Sequence, residues 1–272
     1  MQGNISKKPT LSRGRAFRRR LLGWVNISQA RSPMAAEESA GDITYTNIVV
    51  WVIAPDKSSG DAFDRVLKGN GIRTEVDYPK ITPRVIGDRM NEDLAVAVDL
   101  EKAINKAVRF GHKEIVIACN TLQLWLTAVK IPEGVRVYTT FEAARMKYLR
   151  VRPVWLGTTV TAREIHDFPT LISLGKLGLQ DLTQEIIWRV KGVTGSDVGT
   201  AKANIKKIKS EESLRARVLQ LLDGLKNAGI HQAIMGCTEL PIAVESYANP
   251  GNKKGITLID PAQLLAEMVG KV

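Results

Sequence analysis

Cysteine is nearly missing from this 272-residue chain, which has only Cys119 and Cys237. Two cysteines so far apart cannot make a disulfide framework, and their spacing matches no CxxC zinc or redox pattern. Long apolar runs are also lacking: none approaches the ~20 residues of a membrane span, and no secretory signal is evident. Acidic residues are absent before Glu37, whereas Lys7, Lys8, Arg13, Arg15, Arg18, Arg19, Arg20 and Arg31 crowd the first 33 positions. Those eight cations account for most of the net charge of +11, so the basic excess is local. A nucleic-acid surface belongs on the folded domain, with groove-reading or stacking elements beside it. No nucleic-acid partner is therefore expected. Residues 1–43 read as a basic segment, either disordered or a targeting sequence for an organelle; an upstream extension before a start at Met34 is the other reading. Without a secretory signal or a span, a cytoplasmic protein with both thiols free is the expectation.

What is present points to an α/β core. Hydrophobic residues at 44% and charged residues at 25% describe an ordinary globular chain, long enough for one large domain or two small ones. Short β-branched runs recur at Ile48–Ala54, Glu114–Cys119, Val135–Tyr138, Pro153–Gly157, Gln232–Cys237 and Ile256–Ile259. Several are apolar throughout, as parallel strands covered on both faces require. Between them lie helical periods. Leu100, Ala103, Ile104, Ala107 and Val108 form one stripe, and Leu214, Val218, Leu221, Leu222 and Leu225 another, with Ser210 as its expected N-cap. Strands alternating with helices predict doubly wound layers with mainly parallel sheets.

The chain also repeats itself. Each long helix runs to a glycine, Gly111 or Gly229, suited to a left-handed stop. Each glycine opens a matched segment ending in cysteine, GHKEIVIAC and GIHQAIMGC. Asn120-Thr121 follow one cysteine and Thr238-Glu239 the other, and each half then gives a further strand and an Ala-rich helix. Two Rossmann-like domains facing one another across a cleft are the expected architecture.

In an open α/β sheet the carboxyl ends of the strands face the ligand crevice, and both cysteines fall there, ahead of an expected helix N-terminus. The helix amides and dipole would favour the thiolate, so a downward shift in thiol pKa is expected. Inverting a carbon centre needs a base on one face and an acid on the other, and two equivalent thiols across a cleft supply that pair. The competing reading is two buried core cysteines, common for free Cys. Two of them in duplicated settings, with no others in the chain, favours chemistry.

The segments IACNT around Cys119, GCTELP around Cys237, LGTTVT at 156–161 and LIDPAQLLAEM at 258–268 resemble the aspartate/glutamate racemase superfamily, most closely its aspartate branch, which has Glu where Glu239 stands. The resemblance spans roughly residues 47–272. It implies two pseudosymmetric domains, neither pyridoxal phosphate nor metal, a small amino-acid substrate, no membrane association and a homodimer. It also implies that the C-terminal segment returns to the first domain, giving residues 44–140 plus 255–272 as one domain and 141–254 as the other. By context it places Arg84 and Lys191 on the substrate's side-chain carboxylate, where Arg offers a bidentate fork and Lys a point charge. Thr158, Thr159 and Thr161 are expected at the α-carboxylate together with Asn120, Thr121 and Thr238, and Glu239 beside Cys237. The expected activity is cofactor-independent racemisation of aspartate or glutamate by Cys119 and Cys237. The alternatives are a racemase of another carbon acid such as a hydantoin, or a ligand-binding relative with weak catalysis. Four departures stand out: the first loop reads IAPDKSSGD instead of a glycine-rich turn, Gln123 replaces a histidine, Glu164-Ile165 replace a Ser-Gly pair after the threonine-rich turn, and the stretch between Lys191 and Ser210 is long.

Overall fold

The computed structural model describes residues 49–79, 81, 94–148, 152–165, 171–194, 213–247 and 255–270. Arg84, His166, the basic head and most of the stretch between Lys191 and Ser210 lie outside the described residues.

The first sheet is built from β1 (Val49–Ile53), β2 (Arg73–Asp77), β3 (Glu114–Ile117) and β4 (Arg136–Tyr138), in the order β2-β1-β3-β4. The second is built from β5 (Val154–Trp155), β6 (Ile172–Ser173), β7 (Gln232–Ile234) and β8 (Thr257–Ile259), in the order β6-β5-β7-β8. Every pairing among these strands is parallel. The two orders are one order written twice, so the sequence repeat is a repeat of topology. β1 and β3 occupy inner positions and are buried almost throughout, which is why their sequences are continuously apolar.

Helices cover the sheets: α1 (Lys57–Gly69), α2 (Leu94–Arg109), α3 (Asn120–Gln123), α4 (Thr140–Lys147), α5 (Thr159–Glu164), α6 (Gln180–Thr194), α7 (Leu214–Asn227), α8 (Glu239–Tyr247) and α9 (Pro261–Val269). The two expected stripes face inward, since Leu100, Ile104 and Ala107 on α2, and Val218, Leu221, Leu222 and Leu225 on α7, are buried. Gly111 and Gly229 take positive φ after α2 and α7, as the helix-stop reading requires. No helix among the described residues is long and apolar enough to cross a membrane.

Two expectations are corrected. Ser213, not Ser210, caps α7, its side chain accepting the Ala216 amide at 3.2 Å. The C-terminal segment divides: β8 pairs with β7 in the second sheet, and only α9 crosses to pack on α1 and α4. Edge hydrogen bonds of β7 decide where β8 goes, while the apolar face of α9, with Leu264, Leu265, Ala266 and Met268 buried, decides where the helix goes.

Trp155 joins the halves. It lies at the end of β5, fully buried, with its ring 4.6 Å from that of Phe141 on α4. The indole lies directly on the backbone of Gly236, where an added Cβ would approach within 2.1 Å of it. Gly236→Ala should therefore displace the indole and cost roughly 1–3 kcal/mol, read as a lower denaturation midpoint; an unchanged midpoint would show that Trp155 does not wedge this joint.

Candidate active site

Cys119 follows β3 and precedes α3, and Cys237 follows β7 and precedes α8, so the thiols stand at equivalent places in the two halves. Hydroxyls cross between the halves beside each of them. Ser59 Oγ, at the start of α1, lies 2.9 Å from Thr238 Oγ1. Thr121 Oγ1 lies 3.1 Å from Thr158 Oγ1 and 3.4 Å from Thr161 Oγ1, and Thr158 and Thr161 are themselves 2.6 Å apart. The pattern is symmetric: the helix start after the first strand of each half touches the cysteine motif of the other. Ser59, Thr121, Thr158, Thr161 and Thr238 are all buried, so a polar seam lies between two apolar cores. Buried hydroxyls persist because they satisfy one another.

Among the described residues, charge enters the seam through three side chains. Lys191 reaches in from α6 and places Nζ 2.5 Å from Glu239 Oε1 and 3.5 Å from Asp56 Oδ2. Side-chain exposures of 6% for Lys191, 9% for Asp56 and 1% for Glu239 make this a buried cluster, where an unpaired charge would be costly. Burial opposes the Lys191 charge, but Glu239 and Asp56 outweigh it and hold the ammonium protonated well beyond its ordinary range. Burial likewise raises Asp56, yet Lys191 and hydrogen bonds from Ser58 and Ser59 leave it below its ordinary value, hence ionised.

The thiols differ. Cys237 Sγ donates to Glu239 Oε2 at 2.8 Å, an oxygen that Thr238 Oγ1 also approaches at 3.0 Å. Burial pushes the Cys237 thiol far up, and the Glu239 carboxylate pushes it further. Burial raises Cys119 as well, to about 12, although the Leu122 amide and Lys191 pull the other way. Cys119 is the more exposed of the two and, among the described residues, has no carboxylate hydrogen bond. The expected downward shift is thus corrected for both. α3 is four residues long, and the loss of water outweighs what its few amides return. Each thiol still falls within electrostatic reach of Lys191 and Glu239, and Cys237 within reach of Cys119.

The remaining expected residues have specific places. Asn120 is buried, its Oδ1 accepting from Thr140 Oγ1 and from Gln123 Nε2 at 3.3 Å, while its Nδ2 has no hydrogen-bond partner among the described residues. Thr159 is turned away from the hydroxyl seam, with its amide 2.7 Å and its hydroxyl 3.2 Å from Gln184 Oε1. Gln123, standing where a histidine was expected, ties α3 to neighbouring elements through Ile117 O at 3.0 Å and Thr140 Oγ1 at 3.0 Å. The sequence reading missed Asp56 as a site residue. The available signal was its position, just past β1 and matched by Thr158 past β5, with the spacing of an N-cap: Asp56 caps α1 by accepting the Ser59 amide at 2.9 Å.

No family model matches the sequence, and no curated protein matches it in sequence. Solved structures do match the fold. An aspartate racemase of Picrophilus torridus superposes with a TM-score of 0.59 at 18% identity, covering 82% of this chain and 93% of that one. A glutamate racemase of Francisella tularensis, solved with D-glutamate, gives 0.52 at 17%, covering 83% and 80%. A glutamate racemase isoform of Bacillus anthracis gives 0.51 at 17%, covering 83% and 81%. The fold of this chain is that of the aspartate and glutamate racemases.

Proposed function

We propose that the chain is a cofactor-independent racemase of an acidic amino acid, aspartate or glutamate, working by proton transfer between Cys119 and Cys237. The observation that carries the reading is the duplicated placement of the two thiols, each after the third strand of its own sheet and each beside the same buried hydroxyl and charge cluster. Fold likeness to racemases supports it.

The asymmetry of the thiols assigns starting roles. Cys237 is held as thiol by the carboxylate that accepts its hydrogen bond, so it begins as the acid. Cys119 loses its proton to solvent and, as thiolate, takes the α-proton of the bound amino acid. The electron pair left on Cα delocalises into the α-carboxylate and the centre becomes planar. Cys237 Sγ–H then delivers its proton to the opposite face. The cycle ends with Cys119 as thiol and Cys237 as thiolate, the starting state for the other enantiomer. Thr121, Thr158, Thr161 and Thr238 supply donors for the α-carboxylate, Arg84 and Lys191 the cations for a side-chain carboxylate, and Glu239 positions the Cys237 proton. Asn120 Nδ2, buried without a hydrogen-bond partner among the described residues, is a further donor; Thr159 acts at a distance by fixing α5.

One observation favours the second reading, a carbon acid lacking a side-chain carboxylate: Lys191 already faces two carboxylates. The two are separated by following optical activity of enantiopure aspartate, glutamate and a 5-substituted hydantoin with purified protein and no added cofactor. The proposal expects aspartate or glutamate to lose rotation completely; inert amino acids with a racemised hydantoin would transfer the function to the second reading.

A pH dependence follows from the raised thiols. kcat/KM reports the free enzyme, and the reactive form requires one thiolate. Because Cys119 is held at about 12, the thiolate is a minor species at neutral pH and its fraction rises with pH. The expected profile of kcat/KM therefore climbs by about tenfold per pH unit from near neutrality, without levelling at the ordinary thiol value. A plateau reached by pH ~7 would show that Cys119 is already ionised in the free protein.

A further inference from the structure

We propose that Asp56 is a specificity-determining residue that competes with the substrate's side-chain carboxylate for Lys191. The inference rests on the reading that Lys191 belongs to the substrate site and extends it to the residue that regulates access to that ammonium.

The two carboxylates on Lys191 are held differently. Glu239 Oε1 is 2.5 Å away, a strong charge-assisted contact, and Oε2 of the same group receives Cys237 and Thr238. Asp56 Oδ2 is 3.5 Å away, beyond the 2.7–3.2 Å of a good N–H···O bond. Asp56 also has independent anchors, since its Oδ1 accepts the Ser59 amide at 2.9 Å and the Ser58 hydroxyl at 2.8 Å. Releasing Lys191 therefore leaves Asp56 in place as the cap of α1. What it gives up is charge attraction, and what it retains is a buried negative charge that an incoming carboxylate meets.

Charge balance sets the direction. Among the described residues of the cluster, Asp56 and Glu239 face one ammonium, Lys191. A neutral amino acid adds an ammonium and one carboxylate, and the hydroxyl seam offers donors for the latter. A dicarboxylic amino acid adds a second carboxylate whose counter-ion among the described residues of the cluster is Lys191, and Asp56 is the group it displaces from that ammonium. Asp56 thereby lowers affinity for dicarboxylates relative to neutral amino acids, and removing its charge should reverse that.

Asp56→Asn is the informative variant, because Asn caps a helix as well as Asp while carrying no charge. Calorimetric binding of L-aspartate and L-alanine to the wild type and to Asp56→Asn reads selectivity without requiring turnover. The expected result is a rise in the aspartate-to-alanine affinity ratio on the order of tenfold, with no rise when Lys191→Met is also present. Asp56→Ser, also a competent cap, should behave alike and guards against a folding defect peculiar to Asn. A ratio that is unchanged or lower in both variants, or that rises equally in the Lys191→Met background, overturns the proposal; so does failure of both variants to bind aspartate. Racemisation assayed on the same samples stands apart: a shifted ratio without racemisation in the wild type would count against the two-cysteine chemistry and not against the role of Asp56.

Discussion

Replacing either Cys119 or Cys237 by serine is expected to lower racemisation of the substrate by roughly 10³-fold or more, within the range that one acid or base contributes. A serine hydroxyl fits the space of the thiol but ionises far less readily, so it can neither take the α-proton nor return one at a useful rate. The two variants should fail differently. With Cys237→Ser the thiolate at Cys119 survives, and it can lift the α-proton of the enantiomer whose α-hydrogen faces it and return a proton to the same side. Exchange without inversion is the expected residue of activity. With Cys119→Ser the Cys237 proton remains held by Glu239, and exchange should be weaker still. Chiral chromatography of the products, with thermal melts to show that both variants fold, checks the pair. Near-normal inversion by either variant would mean that its sulfur takes no part.

Removing the charge of Lys191 should have the largest effect on stability. Lys191→Met keeps length and apolar bulk but leaves the Glu239 and Asp56 carboxylates, 1% and 9% exposed, without their cation. Breaking a buried ion pair from one side costs about 3–5 kcal/mol, and urea denaturation should register a loss of that order. Lys191 also favours the thiolates of both cysteines, so what activity survives should require higher pH. Adding Glu239→Gln removes the closer orphaned charge and should restore a large part of the stability, giving a strong coupling in the double-mutant cycle. If Lys191→Met is as stable as the parent, the ammonium is not the counter-ion of this cluster.

How much of this was legible in the sequence depended on the range of the interaction concerned. β1 and β3 could be read because inner parallel strands are apolar on both faces. β2 could not: it reads RTEVD, alternately exposed and half-buried along the edge of the first sheet, and nothing in five such residues separates it from a loop. β6 has two residues and no pattern at all. Gly111 and Gly229 announced their helix stops because positive φ is a local demand of the backbone. The site followed the same division. Both cysteines and the Thr158–Thr161 turn were visible from local spacing, but the partners of Lys191 lie 48 and 135 residues away in sequence, and no local pattern joins them. The direction of the thiol shifts was misread for a related reason. The local signal, a helix start, favours the thiolate, while the burial that overrides it is a property of the assembled halves. Asp56 looked like a loop acid in IAPDKSSGD until folding placed it opposite Lys191.

In the proposed reaction two sulfur atoms address one carbon from opposite faces. This is tested most directly by giving the protein enantiopure L-aspartate or L-glutamate in deuterated water and following the α-position at low conversion. The account predicts that every molecule of the D-product carries deuterium, delivered by the exchanged thiol of the second cysteine, while recovered L-substrate stays largely protiated. D-product formed with the original α-hydrogen retained would mean that a single group moves the proton from face to face, and would contradict the account.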